Sequence, residues 1–268
     1  MKECEILIGE PMAARGRKML QAMIDAAPGV GIRPVPSLKW TGRIPYVMSY
    51  GLGHPQRRLW TEAHKRAGGR VIGWDLGYWH RDAPLQFGMR LTIDDDHPHR
   101  RVKAMLSSTP ASRWEAAGIE LREDFYAHGP IVLCGMGGKQ RRLTGHGPQQ
   151  WERRRLQALR SRFPGRRILY RPKRPESALD GCGFALGGIE DALRGASLLV
   201  CAHSNTAVDV CIAGIPVECD DGAAFALYEG NPAPSREERL AFLRALAWFQ
   251  WNPTEGPEAW TFIRSQFA

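Results

Sequence analysis

The chain alternates short apolar runs with amphipathic helical stretches, and it does so twice. In the first half Glu5–Ile8, Pro45–Ser49, Arg70–Trp74 and Arg90–Ile93 read as strands. Helices are expected over Met12–Ala26, Gln56–Ala67, Pro98–Leu106 and Ser112–Ala117, the last opened by Ser112 as N-cap with Glu115 three residues on. The theme restarts with strands at Ile131–Cys134, Arg167–Tyr170, Leu198–Cys201 and Pro216–Cys219, separated by helices at Gln149–Arg162, Ile189–Gly195 and Thr206–Ala213. Helices over Arg236–Trp251 and Glu258–Phe267 follow. Such alternation specifies sheets with helices on both faces. The polar stretch Arg122–Pro130 (REDFYAHGP) ends in Gly-Pro and is the natural linker. The expected fold is α/β, two Rossmann-like lobes facing a central cleft, over residues 1–128 and 129–268. The terminal helices should pack back on the first lobe.

Composition narrows the setting. With 268 residues, 43% hydrophobic and 24% charged, the chain is ordinary globular material. No apolar stretch approaches the roughly 20 residues of a bilayer span, and MKECEILIGEP has too short an apolar core for a secretory signal. A cytoplasmic protein is expected. The 6 cysteines form no C-x-x-C pair and several sit in apolar runs, which fits buried thiols rather than a zinc site. The 37 Lys and Arg exceed the 28 Asp and Glu, for a net charge of +9. Lys139–Arg174 alone holds 13 basic residues and one acid, Glu152. That stripe is either a polyanion-binding surface or a solvated arginine-rich face.

Ligands of open α/β sheets bind beyond the carboxyl ends of the strands, so the loops there carry the chemistry. After Leu198–Cys201 come His203, Ser204, Asn205 and Thr206, able to open a helix whose free amides attract an anion. After Ile131–Cys134 comes Gly135-Met136-Gly137-Gly138-Lys139, where glycines admit a phosphate to the backbone and Lys139 adds charge. It has neither P-loop nor dinucleotide spacing. After Arg167–Tyr170, prolines extend the backbone and aim Arg171 and Lys173 outward. A capped helix, a flexible turn and a basic surface loop are the ligand-free alternatives. The first half offers Trp74, Asp75, Tyr78, Trp79, His80 and Arg81, then Asp94, Asp95, Asp96 and His97, with Glu10 after the first strand. The aspartates could hold Mg²⁺ through oxygen ligands, but adjacent carboxylates also make ordinary turns. Trp40, Trp60 and Trp114 add to an aromatic load that either stacks on a sugar or base, or fills the core.

The string His203-Ser204-Asn205-Thr206-Ala207-Val208-Asp209, followed by Ala213-Gly214-Ile215-Pro216-Val217, resembles the nucleotide-sugar-binding segment of GT-B-type glycosyltransferases. It is similar to those that build capsules and lipopolysaccharide and to phage enzymes that glycosylate modified DNA bases. The resemblance covers roughly Ile131–Asp221; the acidic E-x(7)-E motif of many retaining members is absent. It implies a metal-independent enzyme with no cofactor beyond the nucleotide-sugar donor, of UDP or ADP type. Residues 129–268 would bind the donor through Gly137, Gly138, Lys139, Arg171, Lys173, His203, Ser204, Asn205 and Thr206. Residues 1–128 would take the acceptor on Trp74, Tyr78, Trp79, His80 and Arg81. Asp75, Glu10 or His97 would be the general base. Net charge, clustered arginines and small size fit DNA as partner, with a hydroxymethylated pyrimidine as acceptor, and the charge fits a polysaccharide or lipid acceptor at the inner membrane nearly as well. The alternatives are a transferase of surface polysaccharide or lipopolysaccharide synthesis, a sugar-nucleotide epimerase, or a non-catalytic nucleic-acid-binding protein.

Overall fold

The computed structural model describes every residue except Glu10, 82–87, 174–177, Leu186 and Ala268. It contains β1 (Glu3–Leu7), α1 (Ala14–Ala26), β2 (Arg33–Ser37), β3 (Tyr46–Tyr50), α2 (Pro55–Arg66), β4 (Arg70–Leu76) and β5 (Met89–Ile93). Next come α3 (His99–Met105), α4 (Ser112–Ala116), β6 (Ile131–Cys134), α5 (Gly138–Thr144), α6 (Gln150–Arg162), β7 (Ile168–Arg171) and β8 (Gly183–Phe184). The remainder is α7 (Ile189–Leu193), β9 (Leu198–Cys201), α8 (Thr206–Ala213), β10 (Val217–Cys219), α9 (Phe225–Tyr228), α10 (Arg236–Ala247), β11 (Gln250–Trp251) and α11 (Gly256–Ser265). The chain divides into two compact units. One joins Met1–Pro98 to Leu246–Ala268; the other is His99–Ala245. The Rossmann-like α/β architecture expected from the sequence is present in both. Among the described residues no helix is long and apolar enough to cross a membrane.

In the first unit the sheet order is β11-β5-β4-β3-β1-β2. β1 pairs in parallel with both β2 and β3, and β3 with β4, whereas β5 and β11 run antiparallel to their neighbours. Strand order therefore reverses between β1 and β3. The core forms because the central strands are apolar on both faces: Ile6, Met48 and Ile72 are buried, as are Met19, Leu20 and Met23 of α1, while Leu7, Val47 and Val71 cluster with Trp60 of α2. Trp260 of α11 donates its indole N–H to the Met23 carbonyl at 2.8 Å, which fastens α11 to α1. The WFQW stretch was expected to stay helical. Instead α10 stops at Ala247, and Gln250 and Trp251 pair with β5, whose outer edge would otherwise be bare.

The second unit holds an all-parallel sheet of order β10-β9-β6-β7-β8. β6 is followed in sequence by β7 and β8 on one side, then by β9 and β10 on the other, so the order reverses between β6 and β9. Ile131, Leu133, Trp151, Leu156, Leu159, Tyr170, Leu198 and Val200 form its core. The Arg122–Pro130 stretch is hydrogen-bonded onto this unit. Arg122 N donates to Ile212 O at 2.8 Å and Asp124 N to Ala213 O at 2.7 Å, while Glu123 pairs with Arg236 and Arg239. Ser112 is not an N-cap: it lies inside α4, and Ala111 occupies the cap position without a side-chain bond.

Candidate functional site

A parallel sheet whose strand order reverses opens a crevice at its carboxyl edge. In the second unit that point lies between β6 and β9, and all the expected donor residues sit on this edge. The glycine turn leaves β6 with Gly135 N bonded to Arg171 O at 2.8 Å, which ties it to the end of β7. A Cβ at Gly137 would lie 2.9 Å from Cδ of Lys173 and 3.6 Å from its Nζ. The lysine therefore passes directly over the turn. The turn runs on into α5 rather than remaining a loop, with Gly137 at the N-cap position and Lys139 exposed in the first helical turn. The Gly137 and Gly138 amides have no acceptor among the described residues. Arg171 is half-buried. Its Nη2 reaches Gly187 O at 3.4 Å, a long bond, and its Nε is buried with no hydrogen-bond partner among the described residues. A guanidinium so poorly satisfied is a costly thing to build unless an anion completes it.

On the other side of the switch, β9 ends at Cys201 and Ala202, and His203–Thr206 lead into α8, all four partly exposed. Ser204 Oγ accepts the Thr206 amide at 3.2 Å and donates to Thr206 Oγ1 at 2.9 Å, and Ser204 O accepts Ala207 N at 3.1 Å. The helix start is thus largely capped by Ser204 itself, and Asn205, in the cap position, makes no side-chain cap bond. The sequence suggested free amides here. The Thr206 and Ala207 amides are bonded internally to Ser204, which leaves the glycine turn, Arg171 and Lys173 as the less engaged donors of this edge among the described residues.

Beneath these loops Cys134, Cys201 and Cys219 end three neighbouring strands, Cys219 directly paired in register with Cys201. Burial pushes the Cys201 thiol up to about 11, against a lowering backbone bond from Ser204, and burial likewise pushes Cys134 to about 12. Cys211 in α8 is also pushed by burial to about 12. In the folded protein these thiols keep their protons above the ordinary value of 9.0. The folded state binds more protons than the unfolded one across that window, so the stability they contribute is complete below pH 9.0 and is lost progressively as pH rises toward about 12. Chemical denaturation followed from pH 8 to pH 11 should show a falling midpoint, and thiol-directed reagents should label the native protein slowly at neutral pH.

The first unit presents a different surface at its own carboxyl edge. Asp75, near the end of β4, accepts from Leu76 N at 2.8 Å and from Arg90 Nη2 at 3.1 Å. Tyr50, at the end of β3, has its hydroxyl pKa raised by burial and then by Asp75, opposed by Arg15, Arg57 and Arg90. Arg57 is buried and donates to Tyr50 O at 2.6 Å and to Pro11 O. The aromatic acceptor candidates are core: Trp74, Tyr78 and Trp79 are 1%, 0% and 8% exposed. Their ring faces are occupied by packing, which leaves exposed His80 and half-buried Arg81 at the surface. Gln250 fixes that loop by accepting Tyr78 N and donating to Trp79 O, a long-range role that no local sequence signal marks. His97 is buried. Asp94 is engaged with Val71 N and Arg70, and Asp96 with Arg58. Among the described residues no group of His, Cys, Asp and Glu is arranged to hold a metal. Glu10 lies outside the described residues.

No protein-family model matches the chain, and no curated protein sequence matches it. Two solved structures from Thermosulfurimonas dismutans are similar in fold. One is KpsC, beta Kdo 2,4 transferase, at 11% identity with a TM-score of 0.59, covering 95% of this chain and 94% of that one. The other is KpsC, beta Kdo 2,7 transferase, at 14% identity with a TM-score of 0.51, covering 93% and 92%. At such identities the likeness is one of fold, and it extends over nearly the whole of both chains. Both are named as sugar transferases. The likeness to enzymes that modify DNA bases, expected from the His-Ser-Asn-Thr string, gains nothing from them.

Proposed function

We propose that the chain is a glycosyltransferase of the surface-glycan kind, moving a sugar from a nucleotide-activated donor to a hydroxyl of a growing saccharide. The observation that carries this reading is the convergence at the β6/β9 switch of a glycine turn, a lysine laid over it and an arginine, the Gly137 and Gly138 amides and the Arg171 Nε having no hydrogen-bond partner among the described residues. Those groups suit a phosphate that must be gripped more tightly as it leaves with negative charge. The saccharide acceptor is preferred to DNA. The aromatic side chains that would have stacked an extruded base are buried, and the fold is shared with proteins named as Kdo transferases. Kdo is an acidic keto sugar, and a donor of that class belongs first in any panel.

Asp75 is the carboxylate that the first unit offers as general base, held in place by Arg90. Thermal shift with nucleoside diphosphate sugars and nucleoside monophosphate-activated acidic sugars tests the donor reading; a melting temperature indifferent to all of them counts against it. With an active donor in hand, Asp75→Asn should lower kcat about a hundredfold while leaving donor affinity alone, as loss of a base does. Unchanged turnover in that variant removes Asp75 from the mechanism.

A further inference from the structure

The single acid of the basic run, Glu152, is fully buried in the first turn of α6. Its Oε1 accepts Met136 N at 2.7 Å and Arg141 Nη2 at 2.9 Å. Met136 belongs to the glycine turn after β6, and Arg141 lies one turn into α5. The residue just before it, Trp151, donates its indole N–H to Asp220 Oδ2 at 2.6 Å, and Arg155, one turn on, pairs with the other Asp220 oxygen. The amides of Asp220 and Asp221 donate to Ala202 O at 3.0 and 2.9 Å, immediately before His203. Trp151, Glu152 and Arg155 of α6 thus reach the loops on both flanks of the β6/β9 switch.

We infer that Glu152 and Asp220 are positioning residues: the start of α6 is a clasp that presets the loops before the donor arrives. This inference rests on the donor-site reading above. The chemistry explains why a carboxylate stands here. Arg141 is nearly buried, with 12% of its side chain exposed, and a buried guanidinium needs a counter-charge. By occupying Arg141, Glu152 withdraws that cation from competition for phosphate and leaves the task to Arg171 and Lys173. By accepting the Met136 amide, it fixes the peptide from which Gly137 and Gly138 extend. Its other oxygen, Oε2, is buried without a hydrogen-bond partner among the described residues, so the carboxylate is not placed there to maximise its own bonding. Its position is better accounted for by what it orients.

Replacing the buried pair by Glu152→Leu/Arg141→Leu keeps apolar bulk and leaves no lone charge, so the protein should fold. It removes the acceptor of the Met136 amide. Donor KM should rise roughly ten- to a hundredfold with kcat essentially unchanged, because the cost is one of misplacement. Hydrogen exchange at the amides of residues 136–139 should quicken while the remaining sheet stays protected. Glu152→Gln/Arg141→Leu restores a neutral acceptor and should return both readouts toward wild type. A Leu/Leu variant with wild-type KM and exchange overturns the clasp, as does a Gln variant no better than the Leu one. Arg171→Ala runs alongside: a raised KM there beside a normal Leu/Leu variant sinks the clasp and spares the donor site. If the wild type binds no nucleotide sugar, the donor site falls instead. Amide exchange then decides whether Glu152 holds the turn, and unchanged exchange overturns that too.

Discussion

The double substitution Arg171→Ala/Lys173→Ala should abolish measurable donor binding while leaving the fold intact. Both residues stand at the carboxyl edge of the second unit, Arg171 ending β7 and Lys173 lying over Gly137. Neither makes an ion pair with a carboxylate among the described residues, so their removal strands no buried acid. A charge-assisted hydrogen bond to an anion contributes about 2 kcal/mol, so two of them amount to about 4 kcal/mol, or roughly a thousandfold in affinity. Isothermal titration of the active donor into wild type and variant reads the difference directly. A loss of less than about tenfold would mean that these cations are surface charges screened by solvent, and the phosphate would have to be sought elsewhere.

Gln250→Ala should strongly destabilise the first unit. The Gln250 side chain accepts Tyr78 N at 2.5 Å and Trp79 N at 3.3 Å and donates to Trp79 O at 3.1 Å, all of them buried. Alanine would leave these backbone groups without partners in a place water does not reach. At about 1–3 kcal/mol for each group left unmade, and with single-substitution losses above about 5 kcal/mol exceptional, a loss of about 3–5 kcal/mol is expected. Equilibrium denaturation should show the midpoint falling with little change in slope. A neutral alanine variant would show that the 77–81 loop is not held from Gln250 at all.

The strands that build both switch points were legible because each is a compact apolar run bounded by polar or glycine-rich sequence. The sites at their ends were legible for the same reason: Gly135–Lys139, Arg171–Lys173 and His203–Thr206 each follow such a run directly. β2 was not seen, since Pro34 and Pro36 interrupt it and its half-exposed edge position carries no alternating pattern. α5 was hidden by the glycines that open it. The roles of Trp151 and Gln250 depend on contacts far along the chain: Trp151 meets Asp220 at a separation of 69 residues, and Gln250 meets Tyr78 at 172. No window of sequence reports such a pairing. The aromatic cluster was ambiguous by nature, because the same Trp and Tyr serve a core or a stacking platform, and burial alone separates the two.

Because Leu246–Ala268 completes the first unit, that unit is discontinuous, whereas His99–Ala245 is a single stretch. On the ribosome, the exit of residue 98 does not license the amino-terminal sheet to close. β5 still lacks β11 along its edge, and α1 lacks the Trp260 bond from α11. The inserted unit can mature meanwhile, having every strand it needs. Folding order then inverts the order of translation, and a fragment ending near residue 98 would leave a sticky strand edge and a bare methionine face as invitations to aggregate.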